Sequence, residues 1–280
     1  MAIALALGAA LAYGSADFVG GLASRRASAL AAAFGAQVVG FLVLLATLPL
    51  VVTAPPTAGQ LASGALAGLF GGIGVLVLFR ALAQGPMSIV APTTALAATL
   101  VPIAAGVGMG ERPGPLTGLG IAASLAAVVL ITREPRTVDA PGRRSSVLPL
   151  ALAGGTIFGL FFVFLHQAGP DAGLWPLLGA RLVSVPLLGA LLWRQADRSL
   201  LTDPIARRGA LASGVLDMGA NILYLLALQQ GMLSVVAAIT GLYPASTVLL
   251  AQSRLRERLA VPQRAGLGAA GLAAVLIAVS

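Results

Sequence analysis

Long apolar runs, broken by short segments rich in arginine, proline or glycine, set the rhythm of this chain. A helix needs about 20 apolar residues to cross the hydrocarbon core of a bilayer. Runs of that length predict ten spans, over 2–22, 29–52, 58–79, 87–108, 115–132, 147–166, 173–193, 208–229, 232–252 and 262–280. The longest polar stretch, Arg133 to Arg144, falls between the fifth and sixth spans. The expected organisation is therefore a five-helix unit over 1–132, a linker over 133–146 and a second five-helix unit over 147–280. The first run could pass for the core of a signal peptide. It lacks the basic segment that would precede one and has an internal counterpart around Ala151–Phe161, so it reads as a transmembrane helix.

The two units repeat each other. A slide of 146 residues, the difference between Gly120 and Gly266, also places Ala81-Leu82 on Ala227-Leu228. It superposes Gln84-Gly85 on Gln230-Gly231, Glu111-Arg112 on Glu257-Arg258 and Val129-Leu130-Ile131 on Val275-Leu276-Ile277. Duplicated bundles with an odd number of spans lie in opposite orientations in the bilayer, as in many secondary transporters. The expected fold class is thus all-α integral membrane, ten transmembrane helices as two inverted five-helix repeats around a central cavity. Glycines spaced by four, at Gly64, Gly68 and Gly72, at Gly106 and Gly110, and at Gly114 and Gly118, suit close approach of helix backbones.

Composition sharpens this picture. Hydrophobic residues make up 58% of the chain and charged residues 9%, against about 25% charge in soluble domains. There is no cysteine and a single histidine, which excludes thiolate chemistry and leaves no basis for a metal site; no cofactor is expected. All 17 basic residues are arginine. Setting aside Arg112 and Arg181, the other 15 lie in loops after the first, third, fifth, seventh and ninth spans. The positive-inside rule makes those loops cytoplasmic and both termini external. The arginines lie between apolar runs and not on a basic face, so no nucleic-acid partner is expected. Without lysine there is no phosphate-binding G-x-x-x-x-G-K-[ST] loop. There is no G-x-S-x-G elbow either, and an enzyme is the weaker reading.

Polar groups inside spans are costly and commonly functional. Asp217, Asn221 and Tyr224 stand at i, i+4 and i+7 on the eighth span and share one helix face. That stripe can contact a polar solute or exchange a proton, or it can be an interhelical hydrogen-bond network. Tyr13 and Asp17 mark the first span in the same way. Arg181 on the seventh span suits an acidic partner or an anionic substrate, and its repeat neighbour lies near the uncharged Gln37. Pro92, Thr93, Thr94 and Pro102 on the fourth span, and Thr240, Tyr243, Pro244, Ser246 and Thr247 on the ninth, predict two bent, hydroxyl-lined helices. The repeated Glu-Arg pairs suggest caps or loop ties at the membrane edge.

These residues carry a family resemblance. Two five-helix repeats, each closing with Gly110-Glu111-Arg112 or Arg256-Glu257-Arg258 before a glycine-rich helix, resemble EamA-type members of the drug/metabolite transporter superfamily. Ala12-Tyr13-Gly14-Ser15 resembles the family's first-helix Trp-Gly-Ser signature, with tyrosine replacing tryptophan. Leu242-Tyr243-Pro244 resembles its ninth-helix segment, whereas the first repeat departs with Leu96-Ala97-Ala98. The resemblance implies a cavity walled by helices one, three, four, six, eight and nine. Members are commonly drawn with cytoplasmic termini, contrary to the arginine count. The expected function is a secondary transporter, an exporter of small metabolites, amino acids or drugs across a bacterial inner membrane by alternating access, with proton exchange as a candidate coupling. A lipid or lipid-linked sugar flippase and a non-transporting membrane protein are the alternatives. Expected substrate contacts are Tyr13, Asp17, Thr93, Thr94, Asp217, Asn221, Tyr224, Thr240 and Tyr243. Expected partners are a small molecule, protons and the lipid bilayer, with a monomer as the default and a dimer open.

Overall fold

The computed structural model describes residues 1–51, 54–85, 87–131, 141–255 and 261–279. Among these residues all regular structure is helical, in twelve elements. They are α1 (Ala2–Ser24), α2 (Ala29–Val51), α3 (Ala58–Gln84), α4 (Met87–Gly108), α5 (Pro115–Ile131) and α6 (Pro141–Gln167), then α7 (Trp175–Gln195), α8 (Ser199–Thr202), α9 (Pro204–Leu228), α10 (Leu233–Thr240), α11 (Pro244–Leu255) and α12 (Val261–Ala278). Eight are long and apolar enough to cross a bilayer. The short α5 and the α10–α11 pair occupy the other two expected spans.

Local chemistry fixes the ends. Thr57 and Gln60 form a reciprocal capping box at the start of α3: the Thr57 hydroxyl accepts from the Gln60 N–H at 3.2 Å and the Gln60 side chain accepts from the Thr57 N–H at 2.9 Å. Asp203 caps α9 by accepting from the N–H groups of Ile205 and Ala206 at 2.8 and 2.9 Å, and Pro204 supplies a first residue with no N–H to satisfy. The helix of the sixth span starts at Pro141, earlier than the apolar run suggested. Most of the expected linker, with Arg133 and Arg136, lies outside the described residues, as do Arg256, Glu257 and Arg258.

The ninth span differs most from expectation. It is broken, not merely bent: α10 ends at Thr240, residues Gly241 to Tyr243 turn, and Pro244 opens α11. Proline cannot donate to the preceding turn, and its ring clashes with the carbonyl four residues back. The broken ends find partners on α1. Ser246 and Thr247 donate to the Ala10 and Gly14 carbonyls at 3.3 and 3.0 Å. A side chain at Gly14 would overlap both the Ser246 hydroxyl and the Tyr243 carbonyl, so glycine there is what lets α1 dock into the break. The fourth span, also expected to bend, runs unbroken as α4 through Pro92 and Pro102.

The core lies between the two halves. The main packed pairs are α1 with α9 and α3 with α6; α3 with α7 and α9 with α2; α4 with α6 and α10–α11 with α1. Exchanging the halves turns each of these pairs into its companion, while α5–α12, α2–α7 and α4–α10 map onto themselves. Single residues obey the same exchange. A methyl at Gly120 would lie 2.5 Å from the Ile277 side chain and one at Gly266 2.7 Å from that of Ile131. Those four positions are two pairs that the 146-residue slide superposes. Gly68 and Gly214, also superposed by the slide, meet backbone of the equivalent helices α7 and α2, at the Ala180 and Ala36 carbonyls. In lipid such backbone contact supplies the packing attraction that holds helices together.

Candidate functional site

Where the halves meet, a pocket opens between α1, α2, α3, α4, α6, α9 and the α10–α11 break, with about 540 Å³ of atom-free space when the open solvent at its mouth is counted. Asp17 and Asp217 face it, with Tyr13, Gln37, Ser213 and Tyr243. Its remaining wall is apolar and includes Phe79, Phe158 and Phe162. Asp17 lies about two turns before the end of α1, Ser213 lies in the first half of α9 and Asp217 at its middle. The cavity is therefore displaced toward the end of the bundle that carries the arginines of the 25–28 and 196–203 connections.

The second carboxylate is held by a network within the wall. A guanidinium nitrogen of Arg181 lies 2.7 Å from an Asp217 carboxylate oxygen, and their side chains are 6% and 20% exposed. The other terminal nitrogen of Arg181 donates to the Gln37 side-chain oxygen. Ser184, one turn along α7, donates to that same oxygen at 2.7 Å. The contact joins α7 to α2, its equivalent helix in the other repeat, two residues from the Gly35 that the slide places on Arg181. Asn221 donates to the Asp217 carbonyl at 2.7 Å and accepts from the Tyr13 hydroxyl at 3.0 Å, which ties α1 to α9. Asp17, by contrast, is half-buried and has no hydrogen-bond or ion-pair partner among the described residues.

Toward the opposite end of the bundle the cavity is closed by aromatic rings. Phe162 packs on Tyr224 with ring centroids 4.4 Å apart, and Tyr13 lies 5.9 Å from Phe162 and 6.4 Å from Tyr243. Beyond this layer a smaller space of about 210 Å³ is lined by Thr99, Tyr224, Thr240 and Gly241. The Tyr224 hydroxyl is fully buried there without a partner among the described residues. Farther out, both carboxylate oxygens of Glu111 accept from the N–H groups of Leu233 and Ser234 at the start of α10, which is the capping role its position suggested. Its repeat partner Glu257 lies outside the described residues.

Of the nine expected contacts, Tyr13, Asp17, Asp217 and Tyr243 line the main cavity, and Asn221 sits behind them. Tyr224 and Thr240 line the smaller space. Thr94 is not brought to the cavity: its hydroxyl donates to the Ala151 carbonyl at 3.2 Å and joins α4 to α6. Thr93 is buried and lines neither space. Gln37, Ser213, Phe79 and the α6 phenylalanines line the cavity and Ser184 stands behind Gln37, and sequence reasoning selected none of them as contacts. The i, i+3 spacing of Arg181 and Ser184, facing Gln37, was the available signal for two of them.

The sequence profile of the EamA-like transporter family matches residues 1–133 and 145–279. The chain belongs to the EamA-like transporter family. Membership makes this EamA chain a multi-pass membrane protein of a transporter family, in keeping with its helices. No curated protein matches it by sequence. A solved structure described as "Crystal structure of protein" shares the fold, with a TM-score of 0.75 at 16% identity over 99% of this chain and 96% of that one.

Proposed function

We propose that this EamA-family chain is a secondary transporter of the bacterial inner membrane, an exporter of small metabolites or drugs that works by alternating access. The observation that carries the proposal is the position of the cavity: its polar groups lie on the seam between two repeats that pack as equivalents. Two such repeats, inverted in the bilayer, can rock about the seam and present one site to either face in turn. The aromatic layer closes one end in this state, and by the arginine count the cavity lies toward the cytoplasm. Solute meets Tyr13, Asp17, Asp217 and Tyr243. Asn221 holds Tyr13 in place, and Arg181 balances Asp217. No enzymatic step is assigned to the site.

A carboxylate without a counter-charge at membrane depth binds a proton or a cation, so Asp17 is the group suited to exchange one for the other. One-for-one exchange of a proton for a monovalent cation moves no net charge, so the pH gradient alone drives it, and one pH unit, about 1.4 kcal/mol, sustains about a tenfold solute gradient. The test is counterflow: proteoliposomes loaded with an unlabelled amine, amino acid, nucleoside or short-chain lipid are challenged with the labelled form outside. Saturable uptake of one water-soluble class supports the transporter. Movement of lipid alone would support a flippase, and no movement of any class would refute transport.

A further inference from the structure

The charges around the cavity narrow its solute to one class, given that the cavity is the transport site. Five other polar residues line the cavity with Asp17. From α9 come Asp217 and Ser213, from α2 Gln37, from α1 Tyr13, and from the α10–α11 break Tyr243. Arg181 of α7 lies behind Asp217, is 5% exposed, and does not line the cavity. Its terminal nitrogens are taken by Asp217 and Gln37. Gln37 turns its oxygen to Arg181 and Ser184, and Ser213 donates to the Ala16 carbonyl at 3.0 Å. The Asp217 charge is therefore answered within the wall, while Asp17 meets no positive group among the described residues. Counting one positive and two negative side chains, the ionised site carries a net charge of −1.

A half-buried carboxylate in that position is neutralised by a proton or by a cation. Tyr13 and Phe162, whose faces attract cations, stand beside it, and Phe79 and Phe158 extend the apolar wall. We propose that the solute is a singly charged amphipathic organic cation, an amine above all, with its head on Asp17 and its apolar body against Phe79, Phe158 and Phe162. A zwitterionic amino acid would need a free cation for its carboxylate, and Arg181 is already engaged. An anion would meet a net negative site with no donor aimed at it.

Four probes sharing one phenyl body separate the classes: phenethylamine, 2-phenylethanol, phenylalanine and 3-phenylpropanoate. Titration calorimetry on the full chain in lipid nanodiscs reads binding, and counterflow of the same four in proteoliposomes reads transport. The expected result is that phenethylammonium binds at least tenfold more tightly than the other three. Asp17→Asn erases that preference, and Asp17→Glu retains it. Equal or tighter binding of the alcohol, the zwitterion or the anion overturns the proposal. So does undetectable binding of the amine, or a cation preference that survives in Asp17→Asn. The wild-type series decides even if a variant fails to fold. Counterflow of phenylalanine or 3-phenylpropanoate without amine binding would sink this inference and leave the transporter standing. Selective amine binding with no counterflow would do the reverse.

Discussion

Breaking the Arg181–Asp217 pair from either side should cost far more than removing it whole. The two groups are 2.7 Å apart with side chains 6% and 20% exposed, so either one left alone is a poorly solvated charge inside the bundle. Arg181→Gln strands the Asp217 carboxylate and removes a donor from Gln37. Asp217→Asn strands the guanidinium, whose Nε already lacks a partner. Loss of one partner from a buried pair costs about 3–5 kcal/mol, whereas replacing both with neutral groups is far cheaper. The double variant Arg181→Gln/Asp217→Asn should therefore be no less stable than either single variant. The coupling energy should then be at least about 3 kcal/mol, at the upper end of what contacting residues show. Reversible unfolding of the purified protein by sodium dodecyl sulfate in bicelles, over the full double-mutant cycle, measures it. Costs that simply add, or single-variant costs below about 0.5 kcal/mol, would refute the view that Asp217 is neutralised within the wall.

Four further outcomes follow from particular positions. Gly68→Ala would place a methyl 2.6 Å from the Ala180 Cα, against backbone that cannot yield cheaply, and should destabilise by about 1–3 kcal/mol. Gly118→Ala meets nothing within 4 Å and should be neutral or stabilising by up to about 1 kcal/mol through helix propensity, measured in the same unfolding assay. Glu111→Gln removes the charge that caps α10 and should cost about 0.5–2 kcal/mol, read as faster hydrogen exchange at the Leu233 and Ser234 amides. Tyr13→Phe keeps the ring but leaves the Asn221 oxygen unpaired, and should lower stability by about 1–3 kcal/mol in the same unfolding assay.

The spans were legible because a helix in lipid must be apolar for about 20 residues, and few other constraints produce that pattern. The repeat was legible because superposed pairs such as Gly120 and Gly266 make equivalent contacts and so keep equivalent side chains. The break at Gly241–Tyr243 was read only as a bend. Pro244 signals a lost hydrogen bond, but whether the chain bends or turns depends on partners from α1, which are far away in sequence. The same limit applies to the hydroxyls. Thr94 and Thr240 look alike on paper, yet one joins helices at the Ala151 carbonyl while the other lines an internal space. Helical spacing grouped Asp217 with Asn221, but it could not show that Arg181 answers one aspartate and leaves the other unpaired. That division of roles depends on how α2, α7 and α9 cross.

The most direct test of the account is proton flux driven by solute. Proteoliposomes containing the full chain and an internal pH-sensitive dye are challenged with an outward-directed solute gradient, using wild type, Asp17→Asn and Asp17→Glu. The account predicts a solute-dependent pH change in wild type that Asp17→Asn abolishes and Asp17→Glu preserves. Solute-driven flux that persists at full rate in Asp17→Asn would contradict it.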